Sequence, residues 1–382
     1  MRLINTSTLQ LEHFIGLKIP KYAILSHTWD TDEVTLQEFT SPTERTKSKQ
    51  GYDKILRTCS LAQSDELDYA WVYTCCIDKT SSAELTESIN SMFEWYKRST
   101  VCYTYLSDVP LKGLSVQDTL TDEEVAACRW FTRGWTLQEL IAPEHLFFFD
   151  QLWNLWGNKE NLVHVLPKRT GIDENVLRDR ERMAFQSVAV KMSWASARET
   201  TRLEDIAYCL LGIFNVNMPL LYGERENAFI QLQHEILKSS TDLSIFGWGT
   251  RGAIILSNQD TSAPSNKHYQ AGYCRILAPS PKEFGALNDV EADTTSLVEY
   301  AITNLGIRIN CSLTELCMNE CESLARCHCD PDRRKYMFEM PSSPSLTRPL
   351  HRGWGVILEK IEPDYFMRSS NRLMNISDAM AV

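Results

Sequence analysis

With 382 residues, 43% of them hydrophobic and 23% charged, the chain has the apolar content for a substantial core and the length for two domains, which excludes an intrinsically disordered protein. Its formal net charge of −11 argues against nucleic acid as a partner, because phosphate binding needs a basic face. No run of about 18 apolar residues marks a membrane span, and Met1 to Pro20 lacks the pattern of a secretory signal, so the expected setting is cytoplasmic.

In chain order, Tyr22–Trp29 opens apolar and ends polar, the pattern of a buried strand running into a loop. Lys47–Ser64 carries Ile55, Leu56, Cys59 and Leu61 at helical spacing, and its Lys47, Lys49, Lys54 and Arg57 read as a solvated helix face. Tyr69–Ile77 is rich in aromatic and β-branched residues and reads as a second buried strand. Polar capping residues at Asp78–Ser82 then open a helix whose apolar positions are Leu85, Ile89, Met92, Phe93 and Tyr96. Val101–Leu106 reads as a third strand, Asp122–Cys128 as a short helix and Leu146–Phe149 as a further strand. Strand, helix, strand, helix, strand is the order of an α/β domain with a parallel sheet.

Residues 151–240 are mostly helical in pattern, with Arg198–Phe214 and Glu224–Lys238 the clearest stretches. Beyond residue 240, Ile245–Trp248, Tyr273–Leu277, Glu299–Ile309, Tyr336–Met340 and Gly355–Leu358 are short β-like runs. The expected division is an α/β core over 1–150, a helical extension over 151–240 and a small β-rich domain over 241–382. Most of the twelve cysteines sit in apolar runs, which predicts free thiols rather than disulfides. Cys311, Cys317, Cys321, Cys327 and Cys329, with His328, form no paired ligand spacing, so no metal is expected there.

Three segments go beyond generic patterning: Tyr22-Ala-Ile-Leu-Ser-His-Thr-Trp29, Trp71-Val-Tyr-Thr-Cys-Cys-Ile-Asp78 leading into Ser81–Leu85, and Arg129-Trp-Phe-Thr-Arg-Gly-Trp-Thr-Leu-Gln-Glu139. In this order they resemble the three-part signature of fungal HET (heterokaryon incompatibility) domains, and Glu199–Phe214 and Met218–Arg225 resemble the region that follows it. The resemblance covers about residues 1–250. It implies a fold similar to TIR domains, a parallel sheet flanked by helices, and a role in self-recognition and programmed cell death through self-association or protein partners. It implies no bound cofactor. Some TIR domains cleave the nicotinamide–ribose bond of NAD with a glutamate, so NAD enters as a substrate, or another nucleotide as a ligand, by analogy of fold.

Ser26, His27 and Thr28 end the first strand, on the sheet edge where open α/β folds bind ligands. His27 is a candidate acid/base or phosphate contact, with a backbone-bonded loop histidine as the plainer alternative. Glu84 opens the helix after the second strand and is the candidate to stabilise a ribosyl cation, against a plain helix-dipole role. Tyr73 departs from the family, whose members carry an aspartate at that position, while Asp78 remains downstream. In the third motif, Arg129 and Arg133 are candidates to clamp a phosphate or pair with Glu84, and Trp135 is a candidate ligand contact, with a core or capping role for Trp130 and Trp135 as the plainer alternative, Gln138 and Glu139 lying beside them. Ser26, His27, Tyr73, Asp78 and Glu84 are expected to cluster at one end of the sheet. Three readings follow: an incompatibility effector, an NAD glycohydrolase using Glu84, and a diverged scaffold recruited to metabolic chemistry.

Overall fold

The computed structural model describes residues 1–16, 18–29, 32–109, 125, 127–251, 276–288 and 290, and the strands between 300 and 375. The chain forms two compact units, Met1–Ala184 with Arg198–Ala228, and Phe185–Ala197 with Phe229–Val382.

The first unit is built on a seven-stranded sheet: β1 (Arg2–Asn5), β2 (Leu11–His13), β3 (Ala23–His27), β4 (Tyr69–Trp71), β5 (Val101–Tyr105), β6 (Leu146–Phe149) and β7 (Leu155–Asn158). Their spatial order is β2-β1-β4-β3-β5-β6-β7. The centre is parallel, β3 pairing with β4 and β5, and β5 with β6. The N-terminal hairpin joins antiparallel at one edge and β7 at the other. The α/β class expected from the sequence therefore holds, and the sheet is mixed at both rims. All five residues of β3 are buried, as a central parallel strand covered on both faces requires.

Helices α1 (Leu36–Thr40), α2 (Glu44–Lys47) and α3 (Gln50–Ser64) connect β3 to β4. A helical turn, α4 (Tyr73–Cys76), and the long α5 (Ser82–Arg98) connect β4 to β5. Ser81 caps α5 by accepting the Glu84 N–H, and Lys97 and Arg98 sit at its dipole-favoured end. Its buried Ser88, Ile89, Met92 and Tyr96 repeat at helical spacing. Before β6 comes α6 (Thr136–Ile141), every residue of it buried.

Tyr69–Ile77 is not one strand. It leaves the sheet after Trp71, and the N–H groups of Cys75 and Cys76 turn back to the Val72 carbonyl at 3.3 and 2.9 Å. A run buried on every side shows no period, so apolar content alone does not separate a strand from a buried helical turn. The same holds for Ile245–Trp248, where the second unit has a 3-10 turn, Leu243–Phe246, capped by Asp242.

In the second unit, Gln233 is fully buried and bonds both to the Ala278 carbonyl (2.9 Å) and from the Ala278 N–H (3.0 Å). Beyond residue 300 the described backbone is β, as expected. Tyr300–Thr303 and Gly306–Ile309 form a hairpin. Leu313–Glu315, Lys335–Glu339, Trp354–Glu362 and Tyr365–Asn375 form an antiparallel sheet closed by Thr250–Arg251 in parallel. Most of Tyr273–Leu277 and Asp122–Cys128 lies outside the described residues, as does the group from Cys311 to Cys329. Among the described residues, no helix is long and apolar enough to cross a membrane.

Candidate functional site

The parallel strands run β4-β3-β5-β6, so the chain goes one way from β3 to β4 and then back past β3 to β5, which puts the reversal between β3 and β5. At such a switch point the connections splay apart and leave a crevice at the carboxyl ends of the strands. A pocket of about 190 Å³ lies there, within the first unit. Leu25, His27, Thr28 and Trp29 reach it from the end of β3, Tyr73 from α4, and Met92 and Tyr96 from α5. Arg129, Arg133, Trp135, Thr136 and Glu139 supply another wall, and Thr201, Arg202 and Asp205 a third. An apolar cavity of about 150 Å³ accommodates one benzene-sized ring, so this space suits one ring or sugar of a larger ligand.

Glu139 is the pocket's most deeply placed carboxyl, 7% exposed. Its Oε2 accepts the Ser26 hydroxyl, and Ser26 Oγ in turn accepts from Trp130 Nε1 at 2.8 Å. Burial pushes the Glu139 carboxyl up to about 7, against the pull of Ser26, Arg198 and Tyr96. A carboxyl that titrates near neutrality in a cleft is matched to acid/base work. Arg198 is itself buried and bonds the Arg133 carbonyl (2.8 Å) and Thr136 Oγ1 (2.9 Å), tying α6 to the third wall.

Aromatic and cationic side chains make up much of the remaining lining. Trp29 stacks on Tyr73 with ring centroids 4.8 Å apart, and Lys79 Nζ stands 4.0 Å from the Trp29 ring and 4.6 Å from that of Tyr73. Burial raises the Tyr73 phenol further above its ordinary range, so it presents a neutral hydroxyl. Arg133 Nη2 bonds Thr201 Oγ1 at 2.8 Å, and the Arg202 guanidinium lies 4.4 Å from the Tyr222 ring. Asp205 accepts from the Tyr222 hydroxyl at 3.0 Å, and burial raises its carboxyl. Aromatic faces beside three arginines suit a ligand that joins a ring to an anion.

Of the residues singled out from the sequence, His27, Thr28, Tyr73, Arg129, Arg133 and Trp135 line this pocket. Ser26 lies behind it on Glu139. Glu84 and Asp78 are not among the lining residues. The Glu84 carboxylate pairs with Arg2 of β1 and accepts the Asp78 N–H at 2.8 Å. Burial alone would raise Glu84, but Arg2 and that N–H hold it below the usual range. Asp78 accepts from Thr80 and from Gln37 Nε2.

No local signal in the sequence marks Trp29, Arg202 and Asp205 as lining residues, and Glu139 stands there only as a neighbour of the third-motif arginines. Lys54, expected on a solvated face, is 4% exposed and bonds Glu33 Oε1 at 2.7 Å. The six described cysteines are free thiols and all buried. Burial pushes Cys59 and Cys128 up to about 12. Among the described residues no group of His, Cys, Asp and Glu is placed to hold a metal ion.

Residues 22–121 match the family model "Heterokaryon incompatibility protein (HET)", and residues 227–338 match "Domain of unknown function (DUF8212)". The chain is 45% identical over 223 residues to "Vegetative incompatibility protein HET-E-1" of Podospora anserina. That similarity covers 58% of this chain and 16% of the relative, so the chain spans only a small part of the relative's length. No solved structure matches. The three ordered motifs, the α/β sheet and the family match agree that the first part of this chain is similar to the HET family, the model matching residues 22–121.

Proposed function

We propose that this chain acts in vegetative incompatibility as a HET-domain effector, through a TIR-like first unit whose pocket binds a nucleotide and whose surface contacts protein partners or a second copy. The observation that carries the reading is the pocket's position at the β3/β5 switch point, with Arg129, Arg133 and Arg202 beside Trp29, Tyr73 and Trp135. Guanidinium groups suit phosphates and aromatic faces suit a base or nicotinamide ring. The test is expression in a fungal host, comparing wild type with Arg133→Ala. Growth arrest with wild type and normal growth with the variant, at equal protein level, supports the reading; equal growth of both counts against it.

A second reading, cleavage of NAD, is favoured by one observation: the most deeply buried carboxyl of the pocket is Glu139. Water would add to the ribose carbon as nicotinamide leaves with the bonding electrons, giving nicotinamide, ADP-ribose and a proton. In its ionised form Glu139 would stabilise the positive charge developing on the ribose. NAD loss with purified protein, abolished in Glu139→Gln and kept in Glu84→Gln, would support it. No NAD loss by the wild type would leave the first reading.

A further inference from the structure

The third wall of the pocket carries two opposite charges close together in the chain, Arg202 and Asp205. Opposite charges so near ordinarily pair. Among the described residues no ion pair joins them, and no atom accepts a hydrogen bond from the Arg202 guanidinium. Tyr222, which is not itself a lining residue, holds both. The guanidinium lies 4.4 Å from its ring centre, and its hydroxyl donates to Asp205 Oδ1 at 3.0 Å.

Tyr222 is fixed from behind. Tyr208 meets its ring edge-on, with centroids 5.4 Å apart. The Tyr208 hydroxyl accepts the Leu221 N–H at 2.8 Å and donates to Glu224 Oε1 at 3.1 Å. Glu204 accepts the Gly223 and Arg225 N–H groups at 2.7 and 3.2 Å. The residues on either side of Tyr222 are therefore both tied down. The wall itself is tied to the third motif, where the Gly134 N–H donates to the Glu199 carbonyl at 2.9 Å.

This arrangement leaves both charges available. Burial raises the Tyr222 phenol, so it stays protonated and its one proton goes to Asp205. A ring face attracts a guanidinium without using its N–H donors. A carboxylate has about four acceptor positions, so Asp205 can take a ligand donor besides Tyr222. Burial raises both the Asp205 carboxyl and the Tyr73 phenol, and the Arg202 charge pulls both back, so that charge reaches two walls of the pocket. The other two arginines are partly engaged: Arg133 donates to Thr201 Oγ1 at 2.8 Å and Arg129 to the Trp29 carbonyl at 3.5 Å.

We infer that Tyr222 is a positioning residue that keeps Arg202 and Asp205 from neutralising each other, and that the two form a subsite for a sugar phosphate, Arg202 taking the phosphate and Asp205 a sugar hydroxyl. The sugar contact rests on the nucleotide reading above, whereas the anion subsite does not.

The test is calorimetric titration of the full chain with two probes, ADP-ribose and inorganic pyrophosphate, the second carrying charge but no sugar. Arg202 is exposed, so Arg202→Gln leaves the core untouched. It should weaken both probes roughly tenfold or more, the worth of a hydrogen bond to a charged group. Asp205→Asn should weaken ADP-ribose and leave pyrophosphate bound at least as well. Tyr222→Leu should weaken both, because Arg202 then closes on Asp205. Adding Asp205→Asn to Tyr222→Leu should restore most of the pyrophosphate binding, a rescue that a merely structural role for Tyr222 does not give. Unchanged binding of both probes in Arg202→Gln overturns the subsite, equal loss of both in Asp205→Asn overturns the sugar contact, and absence of rescue overturns the role of Tyr222. If Tyr222→Leu does not fold, the Arg202 and Asp205 variants still decide the subsite. Wild-type protein that binds pyrophosphate but not ADP-ribose removes the nucleotide reading, and the Arg202→Gln result then decides the anion subsite alone. Binding of neither probe overturns both.

Discussion

Ser26, in the first sequence motif, donates its hydroxyl to the carboxylate of Glu139, which lies 113 residues further on and ends the third motif. The bond joins β3 to α6 behind the pocket and sets a carboxyl in a place where burial lifts it from 4.5 to about 7. A group whose folded pKa is raised contributes stability that is full below its unfolded value and lost as pH rises through the folded value. The window is therefore about pH 4.5 to 7, and the loss is on the order of 3 kcal/mol. Thermal melts should show the wild type falling in stability between pH 5 and 8. In Glu139→Gln that slope should flatten, and a slope that persists unchanged would place the titration elsewhere.

Glu84→Gln should be mild. The Arg2 and Glu84 side chains are 29% and 27% exposed, and an ion pair so accessible is screened by solvent. Glutamine can still accept the Asp78 N–H. The expected loss is under about 1 kcal/mol by denaturant titration, with ligand binding at the pocket unchanged. A loss of binding equal to that of Glu139→Gln would bring Glu84 back into the site.

Gly212→Ala should be costly. A Cβ there would stand 2.1 Å from Phe93 Cβ on α5, with no room for either side chain to withdraw cheaply. Overpacking of this kind costs about 1–3 kcal/mol, more than the roughly 1 kcal/mol a helix gains from replacing glycine by alanine. Chemical denaturation should show a net loss, and Phe93→Ala in the same chain should relieve part of it.

The six described cysteines should be silent toward an aromatic disulfide reagent in the native protein and react only on unfolding. All are buried, and burial raises the thiols of Cys59, Cys102, Cys128 and Cys209 well above the range in which thiolate forms. Mass mapping of the labelled sites checks this residue by residue. Modification of Cys75 or Cys76 before unfolding would mean that α4 opens locally.

What could be read from the sequence was whatever a local period or an ordered motif records. The apolar rows of α3 and α5 were visible because they repeat at helical spacing, and β3 and the alternation of strands and helices were visible from apolar runs bounded by polar segments. Tyr73–Cys76 was not, since a segment buried all round leaves no period to read. The choice between Glu84 and Glu139 also lay out of reach. Both stand in the first turn of a helix, and what separates them is long-range: Arg2 arrives from the antiparallel strand β1 to occupy Glu84, while Ser26 and Trp130 close over Glu139. Lys54 looked like any surface lysine until the loop at Glu33 folded over it.

The pocket wall formed by Thr201, Arg202 and Asp205 belongs to a stretch that rejoins the first unit after the chain has left it. Asn90 of α5 clamps that stretch by donating to the Met218 carbonyl and accepting the Met218 N–H, at 3.2 Å each. The family match ends at residue 121, before Arg129, Arg133, Trp135 and Glu139 and well before this wall. Two proteins can therefore share the matched region closely and still differ in what the pocket accepts. Diversification of the pocket lining among such chains would be written in residues 129–139 and 201–205, which lie outside the sheet, and an excised fragment ending near residue 150 would lose the edge strand β7 together with the wall at residues 201–205.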